Sequence, residues 1–212
     1  MILSVLEKYH DGDIIFYCDA GCSLYKSPEW HKIFHSLELS DMFVQRIYKR
    51  NDCWSRKEVL DAFADNHRKW ERCYQYLATS IAFTNSQFSR QFVKEWLNLM
   101  VTRPTLVMDV AENDRITQHR TFVENRHDQA IFSALVYKYL TKFQKIIHTQ
   151  WEHIEDYDPI FKQAIRATRL RHGEKESFES LFIGSLKRLI KDYILKPFYF
   201  APLQWWYSKM SC

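Results

Sequence analysis

Glycine and proline are scarce in this chain, with four glycines and five prolines among 212 residues. That scarcity excludes collagen-like repeats and the linkers of low-complexity proteins. Cysteine is sparse as well. Cys18, Cys22, Cys53, Cys73 and Cys212 are odd in number and scattered, which points to a reducing, cytoplasmic compartment rather than a disulfide framework. Cys18 and Cys22 have no second Cys or His pair at zinc-finger spacing. No apolar run approaches the about 20 residues a membrane-spanning helix needs, and no secretory apolar stretch follows Met1. Any membrane contact is therefore expected to be peripheral.

What the chain does have is apolar and aromatic mass. Hydrophobic residues make up 46% and aromatics 16%, enough to build a packed globular core. The formal charge of +4 is mild, but it is unevenly spread: Lys162 to Cys212 holds ten Lys and Arg against four Asp and Glu, a local balance of +6, which leaves −2 for the remainder. Clustered positive charge suggests an anionic surface or phosphorylated ligand as partner, and a solvated basic face explains it equally well. No zinc finger, arginine-rich run or aromatic RNA-recognition phrase is present, so no nucleic-acid partner is expected.

Along the chain, Ile2–Tyr9 reads as a helix end, followed by an Asp11-Gly12 turn. The run Asp13-Ile14-Ile15-Phe16-Tyr17-Cys18 then reads as a buried strand that stops at Asp19-Ala20-Gly21. Ser27-Pro28 starts a helix reaching about Leu37, and Met42–Tyr48 is a strand. Ser55 and Glu58 have capping-box spacing ahead of a short helix from Arg56 to about Ala64. Tyr76–Thr84 reads as one strand ending at Asn85-Ser86. Phe88, Phe92, Val93, Trp96, Leu97 and Met100 recur at helical spacing up to Pro104. Asp109–Asn125 is polar and weakly periodic, a long loop of the kind that often carries function. Ile131, Phe132, Leu135, Val136 and Tyr139 form one apolar stripe on a helix over Asp128–Leu140. This alternation predicts an α/β domain over residues 1–150. Residues 151–212 form a basic, aromatic helical tail whose central amphipathic helix spans Phe178–Tyr193.

Two places concentrate chemistry. Asp19 stands at a strand end, where ligands of open α/β sheets gather, although Asp also opens turns. Arg126-His127-Asp128-Gln129 puts a cation, an imidazole, a carboxylate and an amide at a helix start, where exposed amides favour anions; Asp128 as a plain helix cap is the other reading.

Four phrases in order carry a resemblance: Asp13 to Cys22, Trp54-Ser55-Arg56-Lys57-Glu58-Val59-Leu60, Phe92-Val93-Lys94-Glu95-Trp96-Leu97, and Phe122 to Ser133. Together they resemble bacterial glycosyltransferase-like proteins of surface-polysaccharide loci, relatives of nucleotide-diphospho-sugar transferases with a GT-A-like fold. The resemblance spans about residues 8–140. It implies an incomplete GT-A-like domain whose N-terminal nucleotide-binding half is largely missing, since only 18 residues precede Asp19. It further implies transfer of a sugar from a nucleoside-diphosphate donor to a polysaccharide or lipid-linked acceptor. The family's Asp-x-Asp stretch corresponds to Asp19-Ala20-Gly21, where the first acid is kept and the third position is glycine. A Mn or Mg ion at Asp19 would thus draw further ligands from His127, Asp128 or substrate phosphates. Lys57, Arg126 and the amides near Asp128 are expected to take up diphosphate charge, with Asp19 and Gly21 on the donor side. Asp128 is the expected general base or sugar-positioning carboxylate, His127 its catalytic neighbour, and Gln129 a ligand for sugar hydroxyls.

Other readings remain open. A His-Asp metal phosphohydrolase would recruit His127 and Asp128 with His67, His119, His148, His153 and His172. A non-enzymatic protein would use the basic tail and its terminal Trp and Tyr residues on an anionic membrane, and the transferase would use the same tail at the inner face of the cytoplasmic membrane. The tail helix packed on its own domain is the plain alternative.

Overall fold

The computed structural model describes residues 1–66, 70–142, 147–151 and 163–167. The helix expected over Phe178–Tyr193 and the rest of the tail beyond Ala167 lie outside the described residues. The chain divides into two units, one of residues 1–18 and 33–152, the other of residues 19–32 and 153–212.

The first unit is a mixed α/β fold around a five-stranded sheet. Its strands are β1 (Ile14–Cys18), β3 (Met42–Arg50), β4 (Tyr74–Tyr76), β5 (Ser80–Thr84) and β6 (Ile147–Trp151). β1 pairs with β5, and β5 and β4 pair end to end along β3, all antiparallel, while β6 runs parallel to β3 on its own register. The expected single strand over Tyr76–Thr84 is thus two strands. Phe43 faces Ala82 and Arg46 faces Tyr76, so two residues of β3 oppose five of the other chain segment. The surplus is the non-strand connection Leu77–Thr79, which begins with the Leu77 amide donating to the Gln45 carbonyl at 2.7 Å, and the β3–β4 pairing itself shifts register between Arg46 and Arg50. β1 is only half-buried rather than buried: of its five residues Ile14 is exposed and the others intermediate.

Helices α1 (Ile2–Lys8), α3 (Asn51–Trp54), α4 (Lys57–Ala62), α5 (Gln87–Thr102) and α6 (Asp128–Lys142) belong to this unit. α5 begins where Ser86 and Ser89 cap each other, the Ser86 hydroxyl accepting from the Ser89 amide at 3.1 Å and the Ser89 hydroxyl from the Ser86 amide at 2.9 Å. It ends at Thr102, just before Pro104. Asn85 joins α1 to this corner. Its amide donates to the Leu6, Tyr9 and His10 carbonyls, closing the end of α1.

The core is centred on α6. Every residue from Gln129 to Tyr137 is buried, so the helix is enclosed all round rather than along the single stripe its spacing suggests. Ala130, Ala134 and Ser133 let neighbours approach its flanks, while Phe132 meets Phe92 and Trp96 of α5 at ring-centroid distances of 5.6 and 4.9 Å. Each such fully buried large side chain contributes about 1.5–3 kcal/mol through the hydrophobic effect.

The second unit contains β2 (Cys22–Leu24) and β7 (Ile165–Ala167), an antiparallel pair. Asp19 closes the turn into β2, its carbonyl accepting from the Cys22 amide at 2.9 Å. The Tyr25 amide donates to the Ala164 carbonyl, and the Ala164 amide to Glu29, which fixes the register. Helix α2 (Glu29–Glu38) starts here with the Ser27 hydroxyl accepting from the Glu29 amide at 3.0 Å; from Ile33 onward it groups with the first unit.

Candidate functional site

The site is assembled at the start of α6. The chain segment 52–57 and the segment 118–126 run against each other through backbone bonds: Val123 N–H to the Cys53 carbonyl at 2.7 Å and Arg126 N–H to the Trp54 carbonyl at 3.1 Å. Side chains extend the seam, the Lys57 amide donating to Gln118 Oε1 at 2.7 Å and the Arg56 amide to Asn125 Oδ1 at 3.3 Å. From α5, the Trp96 indole donates to the Asp128 carbonyl at 3.1 Å. Three of the four phrases that carry the family resemblance therefore meet at this helix start.

The expected Ser55–Glu58 capping box does not form. Arg56 occupies the N-cap position of α4 without a side-chain cap bond. The Ser55 hydroxyl is buried and accepts from Gln75, while Glu58 takes a bidentate pair with the Arg56 guanidinium, both bonds 2.9 Å. A two-pronged charge-assisted pair is stronger than a neutral cap bond, and Gln75 has claimed the serine. The Arg56 guanidinium holds the Glu58 carboxyl down to about 2. The same guanidinium reaches the Thr105 carbonyl at 2.5 Å, and Asn125 donates to the Leu106 and Met108 carbonyls. These bonds fix the residues directly before Asp109.

Asp109 meets His127: Nε2 lies 2.9 Å from Asp109 Oδ1. His127 is held at φ +50°, a left-handed conformation uncommon for a residue with a side chain. The carboxylate favours the tautomer with hydrogen on Nε2, which leaves the Nδ1 lone pair to accept a proton. Asp128 is exposed beside it. Arg126 pairs with Glu124 at 3.2 Å and lies over the Trp54 ring at 5.8 Å from the centroid; Lys49 lies over the same ring at 3.6 Å. One indole thus gathers two cations.

Gln129, expected to meet sugar hydroxyls, is 6% exposed and committed to the interior. Its Nε2 donates to Gln75 Oε1 at 2.9 Å, Gln75 Nε2 donates to Ser55 and to the Trp54 carbonyl, and the Ala78 amide reaches Gln129 Oε1 at 3.5 Å. The network anchors the helix start to both the seam and the connection between β4 and β5.

Lys57 is exposed and lines a cleft of about 520 Å³ with Asp61, Trp70, Glu71, Gln118 and His119 among its walls. Asp19 and Gly21 are exposed and belong to the second unit, whereas Lys57 and Arg126 to Gln129 belong to the first. Among the described residues no three His, Cys, Asp or Glu side chains converge to hold a metal ion. Asp19 supplies a single carboxylate, and its neighbours Ala20 and Gly21 add no side-chain oxygen. Of the histidines considered for a phosphohydrolase, His119 is bonded to Thr121, while His67, His153 and His172 and the side chain of His148 lie outside what is described. Burial pushes the Cys53 thiol up, so this cysteine beside the seam is a poor nucleophile. Among the described residues no helix is long and apolar enough to cross a membrane.

Sequence reasoning passed over Asp109, Lys49 and Gln75. Asp109 stands 18 positions before its partner with no periodic link, and Gln75 looks like a polar residue of a strand end. Trp54 was inside a resembling phrase, but its partners come from β3 and from the loop before α6. No family model, curated protein or solved structure matches the chain.

Proposed function

We propose that the chain is a glycosyltransferase, moving a sugar from a nucleoside-diphosphate donor to a polysaccharide or lipid-linked acceptor on a GT-A-like domain. The observation that carries this reading is the composition of the α6 start: Lys49 and Arg126 share the Trp54 ring, and Arg126 directly precedes the exposed His127 and Asp128. Anion-binding cations beside proton-accepting groups are what transfer from a diphosphate requires. The acceptor hydroxyl oxygen bonds to the anomeric carbon as the bond from that carbon to the diphosphate oxygen breaks. The hydroxyl proton passes to Asp128 or to His127 Nδ1, and the charge left on the diphosphate is met by Lys49 and Arg126. Gln129 acts from below by fixing the helix start. The cytoplasm supplies such donors, and the basic segment 162–212 would bring the enzyme to the anionic inner membrane surface.

The test is calorimetry with UDP-, GDP-, CMP- and dTDP-sugars, with and without Mn²⁺, on the intact chain, Arg126→Ala and Asp19→Ala. Binding of one donor that weakens in Arg126→Ala supports the reading. Failure of every donor to bind the intact chain overturns it.

A further inference from the structure

The cleft beside Lys57 is set apart from its neighbour by what its polar groups are doing. A second depression of about 330 Å³ contains Glu95, Lys138 and Asn66, but Glu95 is paired with Lys138 and Tyr139, and Asn66 donates to the Ala134 carbonyl at 2.9 Å. Its polar chemistry is largely spent on the fold. In the about 520 Å³ cleft, by contrast, the Lys57 ammonium and the Asp61 and Glu71 carboxylates have no partner among the described residues. The walls themselves are fixed: Gln118 is tied to the Lys57 amide at 2.7 Å, His119 Nδ1 contacts the Thr121 hydroxyl at 2.8 Å, and the buried Trp70 packs against Phe63 and Tyr137.

We propose that this cleft is a saccharide subsite, holding a neutral or amino sugar of the acceptor; the acceptor role rests on the transferase reading above. A sugar presents many hydroxyl donors and one apolar ring face. Carboxylates accept from such hydroxyls, often two at a time, while the ammonium and the His119 Nε2 side serve ring and hydroxyl oxygens. The indole of Trp70 supplies an apolar lining. Among the described residues of the cleft, two carboxylates stand against one ammonium, a balance that selects against a uronate and admits an amine. The volume lies within the range of small-molecule sites, about 300–1,000 Å³. Gln118 and His119 come from the same 109–125 loop whose far end delivers His127 and Asp128, so one loop lines the subsite and leads into the proposed reacting groups.

The experiment titrates isotope-labelled intact chain with glucosamine, N-acetylglucosamine and glucuronate, without nucleotide, and follows the amide resonances of Lys57, Asp61, Thr117, Gln118 and His119. Glucosamine and N-acetylglucosamine are expected to shift these resonances, and glucuronate to do so only weakly. Asp61→Asn and Glu71→Gln, on the wall of the cleft, are each expected to cut affinity about tenfold while leaving the spectrum of the folded chain otherwise intact. Absence of shifts at these residues with all three sugars, tighter binding of glucuronate, or unchanged affinity in both variants overturns the subsite. Because donor binding is measured separately, sugar binding without donor binding defeats the transferase reading alone, and donor binding without sugar binding defeats the subsite alone.

Discussion

Gln129 donates its side-chain amide to Gln75 at 2.9 Å inside the core, joining the start of α6 to β4. Gln75 passes the connection on to Ser55 and the Trp54 carbonyl. A buried amide network of this kind is stabilising only while each member has its partner, since an orphaned polar group in the interior keeps its desolvation penalty. Gln129→Ala strands Gln75 Oε1 and is expected to lower stability by about 2–3 kcal/mol. Urea unfolding of the variant checks this. A loss below the error of the fit would mean that Gln129 is not a structural anchor, and would return it to the role of sugar ligand.

The pairing of Glu58 with Arg56 makes a prediction in pH. The folded carboxyl is held down to about 2, below the about 4.3 of an unfolded glutamate, so its stabilisation is fully present above about pH 4.5 and disappears as pH falls toward 2. Glu58 keeps 44% of its side-chain surface exposed, so solvent screening reduces the contribution to about 1 kcal/mol. Glu58→Gln is expected to lose this amount at neutral pH and nothing at the acid end, read as the difference between urea midpoints across pH. A glutamine would serve a capping box as well as a glutamate. Equal stability of the two proteins at pH 7 would therefore favour the box over the ion pair.

Trp54 carries a prediction about the two cations. Lys49 and Arg126 share its ring, and each such contact is worth about 0.5–2 kcal/mol. Trp54→Leu keeps an apolar side chain but loses the π face, which frees both cations to move. Donor affinity in the calorimetric assay is expected to fall about tenfold, with a smaller change in the urea midpoint. Unchanged donor affinity would dissociate the ring from diphosphate binding.

Much of the architecture was legible because short-range rules dominate it. Ser27 ahead of Pro28, the apolar spacing from Phe88 to Met100 and the stop before Pro104 all act within a few residues, and α2 and α5 follow them. The mixed α/β character follows from the same signals. What escaped was set by distant partners. Ser55 and Glu58 have capping spacing, yet Gln75 and Arg56 outcompete that arrangement. The break at Leu77–Thr79 between β4 and β5 depends on how both pair with β3, and nothing in the local run Tyr76–Thr84 announces it. At the site, Arg126, His127 and Asp128 were visible as a dense polar phrase at a helix start. Their positioning partners Asp109 and Trp54 are reached only through the seam between residues 52–57 and 118–126, and Gln129 looked available because a sequence does not show which face of a central helix is enclosed.

His127 supplies the sharpest test of backbone against side chain. At φ +50° a residue with a Cβ is strained, by about 1–2 kcal/mol for an ordinary side chain and less for histidine, which tolerates this region better than most. The Asp109 contact that accompanies it is exposed on both sides and contributes at most about 0.5 kcal/mol. Glycine has no penalty at this φ but loses the imidazole, whereas valine keeps a branched side chain in the worst place for one. The expected order of stability in urea is therefore His127→Gly equal to or above wild type, and His127→Val below it by about 1–2 kcal/mol. If the imidazole is a proton acceptor in the transfer reaction, the glycine variant also separates the two properties, folding as well as wild type while losing turnover. A valine variant as stable as the glycine variant would mean that the left-handed turn is not a fixed feature of the helix start, and with it the orientation of His127 toward Asp109 would fall.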